Sequence, residues 1–167
     1  MQIVIRPLQL EDCHLFADAF TAQGWNKPQS QFEQYLADQE AGERKVYVAQ
    51  ADGEIAGYAT LLPQDHSGPF AGTGIPAICD FNVLEKFQRH GIGHAIMDRI
   101  ESDVRSYSDR ICLGVGLHRG YGAAQRMYVK RGYVPDGSGV WFRDENLTPY
   151  HDCCNDDDLV LYLSKAL

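Results

Sequence analysis

Apolar and polar residues recur along this chain with two different periods, and the changes of period mark its elements. Gln2 to Leu8 (QIVIRPL) is short and β-branched, which predicts an opening strand. From Leu10 to Phe20 the apolar residues Leu15, Phe16, Ala19 and Phe20 fall on one helical face. The segment GWNKP breaks that pattern, and Pro28 opens a second helix running to about Ala41. KVYVAQ and EIAGYATLL are β-rich runs on either side of Asp52-Gly53, which predicts a tight hairpin. HSGPFAGTGIP is a glycine- and proline-rich loop, and AICDFNVL after it has the apolar character of a central strand.

The second half alternates strand and helix. In QRHGIGHAIMDRI, Ile92, Ile96 and Ile100 recur once per turn on one side of a predicted helix. ICLGVGL reads as a buried strand, and GAAQRMYVKRGY as a helix ended by a C-cap at Gly132. PDGSG predicts a turn, and DLVLYL a last strand. The resulting order, β-α-α-β-β-β-α-β-α-β-β, predicts an α/β fold with a mixed sheet and helices on both faces. At 167 residues and without internal repeats or linkers, residues 1–167 are expected to form a single domain. Residues 77 to 116 form a right-handed crossover unit in this reading.

Composition narrows the function classes. Hydrophobic residues make up 44% and charged residues 23%, ordinary for a globular chain. A net charge of −8 argues against a general nucleic-acid binder and suits a cationic or neutral partner, or simply solubility. The absence of a long apolar run and of a basic-then-apolar leader predicts a cytoplasmic protein without a membrane partner. Five cysteines lack paired CxxC spacing, and the adjacent Cys153 and Cys154 are read as loop residues, although they could oxidise or bind metal. His90 and His94 are four apart, but no H-E-x-x-H glutamate accompanies them, so no metal is expected.

The stretch from Gln88 to His94 carries the most specific chemistry. Helix-start amides point outward unpaired, and the helix dipole favours an anion there. Gly91 and Gly93 remove side chains from such a site and Arg89 adds positive charge, which makes a phosphate cradle; a strain-relieving turn reads equally well. The segment lacks the GK[ST] ending of a nucleoside-triphosphate loop and the three-glycine dinucleotide fingerprint.

FNVLEKFQRHGIGHAIM resembles the acetyl-coenzyme A motif, Q/R-x-x-G-x-G/A, of the GCN5-related N-acetyltransferases. Gln88, Gly91 and Gly93 match its fixed positions, and Val83 takes the hydrophobic strand position ahead of them. Downstream, AAQRMYVKRGYVPDG resembles the family's A-x-x-x-Y-x-x-x-G-[FY] signature through Ala124, Tyr128, Gly132 and Tyr133. The resemblance is close from about Ile78 to Gly137. It departs at Glu85, where the family often has proline, and at Tyr121, where it often has asparagine.

The resemblance implies an N-acetyltransferase fold and transfer of an acetyl group from acetyl-CoA to a primary amine of a small molecule or peptide. A non-catalytic acyl-CoA sensor is the alternative. It further implies that the strands near Asp80–Leu84 and Ile111–Leu117 splay, with backbone groups of Phe81 and Val83 holding the pantetheine arm. Gln88, Arg89, His90, Gly91, Ile92, Gly93 and His94 would hold the pyrophosphate. Tyr128 matches the tyrosine near the thioester sulfur, where a phenol can protonate a leaving thiolate of pKa about 8.5; its other reading is a core aromatic. A homodimer is implied by resemblance only.

Two groups are candidates for removing the acceptor's proton. Asp80 interrupts an apolar strand, where a carboxylate needs a partner, so it is either the base or a hydrogen-bonded structural aspartate. His118, after the following strand, is the second candidate and a substrate-side residue. Trp25 either lines the acceptor pocket or anchors the turn between the two helices. Asp152 and the run Asp156 to Asp158 either attract a cationic amine or form a solvated turn.

Overall fold

The computed structural model describes residues 1–167. The chain divides into two compact units, one of Met1–Leu62 with Cys79–Asp103, the other of Pro63–Ile78 with Val104–Leu167.

In the first unit, strands β1 (Ile3–Pro7), β2 (Lys45–Ala51), β3 (Glu54–Leu62) and most of β4 (Ala77–Val83) lie in that order in the sheet. β1, β2 and β3 pair antiparallel. The predicted hairpin is present: Asp52 and Gly53 both have positive φ, at 49° and 88°, as a two-residue primed turn demands. The Asp52 carboxylate also accepts the Gln2 amide at 2.8 Å, which pins the start of β1 to this turn.

Helices α1 (Leu10–Ala22) and α2 (Gln29–Glu40) follow β1. Pro28 stands just outside α2 as its N-cap, one position earlier than the first helical residue. Asp12 at the start of α1 is fully buried, and it is satisfied by two bonds from the Arg6 guanidinium, at 2.6 and 2.7 Å, and by the Gln9 amide at 2.8 Å. The apolar faces of α1 and α2 meet β2 and β3 in a core of Phe16, Phe20, Phe32, Tyr58, Val46 and Val48. Phe32 lies 5.3 Å from Phe16 nearly parallel and 5.3 Å from Tyr58 edge-on, the offset geometries that aromatic quadrupoles favour.

The end of α1 explains Trp25. The Trp25 amide reaches back to Phe20 O at 2.8 Å and the Gly24 amide to Thr21 O at 3.0 Å, with Gly24 at φ 80°. This is a Schellman cap, and Trp25 completes it by stacking on Phe20 at 5.8 Å. Trp25 therefore anchors the end of α1.

In the second unit, β5 (Arg110–Gly116), β8 (Leu159–Ala166), β6 (Val134–Phe142) and β7 (Glu145–Asn146) follow one another outward from the first two residues of β4. Ala77 and Ile78 pair parallel with Cys112 and Leu113, while β5–β8, β8–β6 and β6–β7 are antiparallel, so the sheet is mixed as expected. α3 (Ile92–Arg105) runs from the first unit into the second, and α4 (Gly122–Lys130) belongs to the second. α4 ends as α1 does: Tyr133 N–H bonds to Tyr128 O and Gly132 N–H to Val129 O, each at 3.0 Å, with Gly132 at φ 91°.

Two sequence expectations are corrected here. PDGSG is no turn between elements but an interruption inside β6, where the register with β8 jumps between Pro135 and Val140. Its turn chemistry is satisfied locally, since the Asp136 carboxylate accepts both the Ser138 amide and hydroxyl, while Gly137 and Gly139 take positive φ. β7 was not expected, because its hairpin turns on Arg143-Asp144, at φ 51° and 63°, without the usual glycine.

Gly57 on β3 marks a close backbone approach. A Cβ there would sit 2.6 Å from the Asn82 carbonyl oxygen and 3.0 Å from Val83 Cα on β4. Gly57→Ala is expected to destabilise the fold by about 1–3 kcal/mol, the range for overpacking against atoms that cannot yield. Urea unfolding measures this, and a wild-type midpoint would contradict the close approach.

Candidate active site

β4 is a strand with a carboxylate in its middle, and its backbone records the cost. Asp80 has φ 42°, a left-handed conformation that aspartate tolerates better than most residues. The kink turns its side chain into a ring of donors from the first unit. Oδ1 accepts Lys27 Nζ at 2.7 Å and Asn82 Nδ2 at 2.8 Å. Oδ2 accepts the Tyr58 hydroxyl at 2.5 Å, the Tyr35 hydroxyl at 2.9 Å and Gln31 Nε2 at 3.0 Å. A carboxylate offers about four lone-pair sites, so five donors saturate it. The sequence reading of Asp80 as a base therefore meets a carboxylate whose acceptor capacity is already in use.

The donors are themselves held in place. The Arg44 guanidinium lies over the Tyr35 ring at 4.5 Å and donates to Thr60 Oγ1 at 2.9 Å and to Asp38 at 3.1 Å. Thr60 in turn donates to the Cys79 carbonyl, one residue before Asp80. Burial and the adjacent Asp80 charge push the Tyr35 and Tyr58 phenols above their ordinary range, so both stay protonated as donors.

Below Asp80 the chain turns into α3. The Leu84 amide still bonds to Ala56 O, and Glu85–Phe87 form one short 3₁₀ turn. Glu85 is the departure from the family's proline, and its N–H donates to Gln23 Oε1 at 3.2 Å, a bond that proline could not make. Gln88 folds back so that Nε2 meets the Val83 carbonyl at 3.2 Å. Arg89 and Gly91 take positive φ, 64° and 84°, and Gly91 O accepts the first helical bond from the Ala95 amide at 3.0 Å. The amides of Ile92, Gly93 and His94 therefore begin α3, where no intrahelical acceptor precedes them.

Gln88, Arg89, His90, Gly91 and His94 are exposed around that helix start, Gly93 is half-buried, and Ile92 packs inward. A Cβ on Gly91 would meet nothing within 4 Å. The helix start thus has open space, backbone donors and a neighbouring arginine, a combination that fits a phosphate group. Phe81 and Val83 on β4 are half-buried.

Tyr128 and His118 lie in the second unit. Tyr128 is buried on α4 as the residue that its helix cap folds back upon, and its ring contacts Tyr133 at 5.8 Å. Burial pushes its phenol above the ordinary range, so it remains a proton donor at neutral pH. His118 has both ring nitrogens engaged: Nδ1 accepts the Gly120 amide at 3.0 Å, and Nε2 meets Asp157 Oδ1 at 2.8 Å. The first contact requires a bare Nδ1, so the proton sits on Nε2 and is donated to Asp157.

Tyr121, the other departure from the family pattern, donates its hydroxyl to the same Asp157 oxygen at 2.8 Å and packs its ring beside His118. These two donors hold the Asp157 carboxyl below its usual range, the His118 bond most. Asp157 thus has a specific partner within the acidic run, while Asp158 lies 3.8 Å from Arg143.

Sequence reasoning named Asp80 but missed the five side chains around it. They come from α2, β3, β4 and the segment before α2, and only Asn82 lies within the motif-like stretch, outside its fixed positions. The available signal was Lys27 in GWNKP, a lone cation beside an aromatic-rich helix end.

A family model described as the acetyltransferase (GNAT) family matches residues 12–133. A putative acetyltransferase of the GNAT family from Desulfovibrio desulfuricans is 19% identical, with a TM-score of 0.72 over 99% of each chain. A ribosomal-protein-alanine N-acetyltransferase from Brucella melitensis is 16% identical, with a TM-score of 0.69 over 98% of this chain and 99% of that one. A GNAT family acetyltransferase from Elizabethkingia anophelis, solved with acetyl-CoA bound, is 21% identical; its TM-score is 0.63 over 99% of this chain and 98% of that one. At these identities the structural likeness shows the fold alone. No curated protein matches the sequence.

The phenols of Tyr35, Tyr58 and Tyr128 generate a pH prediction. A raised folded-state value means that their stabilisation is complete below about pH 10, the unfolded value, and is lost as pH rises towards the folded values. Ultraviolet titration is expected to show these phenols ionising only together with loss of far-ultraviolet dichroism. Titration of all nine tyrosines in a chain that stays folded would contradict it.

Proposed function

Because this chain belongs to the acetyltransferase (GNAT) family, we propose that it transfers an acetyl group from acetyl-CoA to a primary amine of a small molecule or peptide, by direct attack in a ternary complex. The observation that carries the donor is the start of α3. There the motif residues Gln88, Gly91 and Gly93 coincide with a left-handed turn, open space and the outward amides of a helix N-terminus. In this reading those amides, with Arg89, His90 and His94 at the rim, hold the pyrophosphate, and backbone groups of Phe81 and Val83 hold the pantetheine arm.

Tyr128 is assigned the departing thiolate. A buried phenol that keeps its proton at neutral pH can donate to sulfur as the carbon–sulfur bond breaks. The acceptor arrives mostly as ammonium, because an alkylamine of pKa about 10.4 is only about one part in a thousand neutral near pH 7.4. Its proton must leave before attack, and Asp80 is the carboxylate nearest in kind to that task. The net charge of −8 favours the approach of a cation.

Thiol release from acetyl-CoA, followed across polyamines, aminoglycosides, amino acids and peptides, tests the reaction. Calorimetric CoA binding without turnover on any amine would instead favour a sensor. Tyr128→Phe is expected to lower turnover about 10²-fold, at the low end for general acid catalysis, with a much smaller effect on CoA affinity. Unchanged turnover would remove Tyr128 from the mechanism. Gly91→Asp is expected to weaken CoA binding through steric and charge conflict, and wild-type affinity in the folded variant would refute the cradle.

A further inference from the structure

The Asp80 cluster includes one feature that a structural ion pair does not require. Lys27 Nζ sits 2.7 Å from Asp80 Oδ1, 5.7 Å from the centre of the Phe20 ring and 5.8 Å from that of Tyr58. Both ring distances lie within the roughly 6 Å over which an aromatic face attracts a cation. The rings are fixed by the core, because Phe20 and Tyr58 meet edge-on at 6.0 Å and Trp25 stacks on Phe20. The carboxylate is fixed by the four other donors. Side-chain exposure is 17% at Lys27 and 22% at Asp80, so the pair is partly desolvated yet open to solvent.

We propose that Phe20, Tyr58 and Asp80 form a binding site for a primary alkylammonium group, that Lys27 is its tethered resident, and that the acceptor amine displaces Lys27 on binding. The identity of the displacing ligand rests on the amine-acetyltransferase reading; the site itself rests on geometry. The cage supplies two aromatic faces for the charge and one carboxylate oxygen for an N–H. A primary ammonium uses all three, whereas a quaternary ammonium has no N–H and forfeits the 2.7 Å contact.

The tether sets the selectivity. A resident on a short linker competes at an effective concentration of about millimolar or above, so a simple small amine displaces it only at comparable or higher concentration. An acceptor that makes further contacts overcomes this competition. Its arrival also releases the hydrogen bond that Lys27 makes to Oδ1, and that oxygen then faces the acceptor's own ammonium. Lys27 thereby reconciles the saturated carboxylate with a role in receiving a proton. Lys27 is a specificity-determining residue in this scheme.

Calorimetric titration of the full chain with propylammonium and tetramethylammonium chlorides tests the proposal without acetyl-CoA. Lys27→Ala is expected to bind propylammonium at least about tenfold more tightly than wild type, to show no such gain for tetramethylammonium, and to lose the gain when Asp80→Asn is added. Equal propylammonium affinity in wild type and folded Lys27→Ala would overturn it, as would a preference for tetramethylammonium.

If Lys27→Ala does not fold, nitrogen-15 lysine ammonium spectra of the wild type give the same answer. The Lys27 signal is expected to be protected from exchange and to shift saturably with propylammonium alone. A signal indifferent to propylammonium would overturn the proposal. Failure of the acetyltransferase reading shows as absent thiol release and leaves these binding results untouched, so the two failures are distinguishable.

Discussion

A carboxylate placed in the middle of an apolar strand sets the terms for the first unit. Withdrawing Asp80 from water costs several kcal/mol unless its charge is met, and two phenols, two amides and one ammonium meet it. These partners come from α2, β3, β4 and the segment before α2, so one charge fixes the mutual position of four chain segments. Arg44 extends the same logic outward through Tyr35, Asp38 and Thr60. The left-handed backbone at Asp80 persists because the surrounding bonds over-determine it. Such strain is a recurrent property of sites where chemistry is done.

The two halves of the chain share a device at helix ends. Phe20-x-x-x-Gly24-Trp25 and Tyr128-x-x-x-Gly132-Tyr133 have the same spacing and the same Schellman hydrogen bonds, with an aromatic contact closing each cap. Much of what reads as a signature around Tyr128 is thus helix-end physics: glycine for the left-handed residue, an aromatic to close over it. The repeat separates two meanings of the motif. Gly132 and Tyr133 have a structural account without any substrate, and the cap engages the Tyr128 carbonyl rather than its hydroxyl.

Local features were legible in the sequence. The Asp52-Gly53 hairpin, both N-terminal helices, the Gly132 cap and the mixed α/β order follow from short-range turn and periodicity rules, and the structure reproduces them. The glycine turn before α3 was equally visible, since Gly91 needs φ 84° whatever it binds. Three things were hidden. PDGSG satisfied its turn preferences without ending β6, Arg143-Asp144 made a hairpin without glycine, and four of the five partners of Asp80 came from 22 to 53 residues away in sequence. Nothing local marks Tyr58 or Gln31 as a donor to a carboxylate on another strand. His118 is similar: its commitment to Asp157 depends on a residue 39 positions later.

The irregularity in β6 bears on how molecules of this protein treat one another. Beyond β6 the sheet carries only the two residues of β7, opposite Trp141 and Phe142. An open strand is a template on which foreign strands can lengthen a sheet into aggregates. Here the outward stretch from Pro135 to Gly139 has one residue without an amide hydrogen and two left-handed glycines that break the repeat. The chain is thereby protected at its outer margin against indiscriminate strand addition. A continuous backbone ladder between molecules is disfavoured along that stretch.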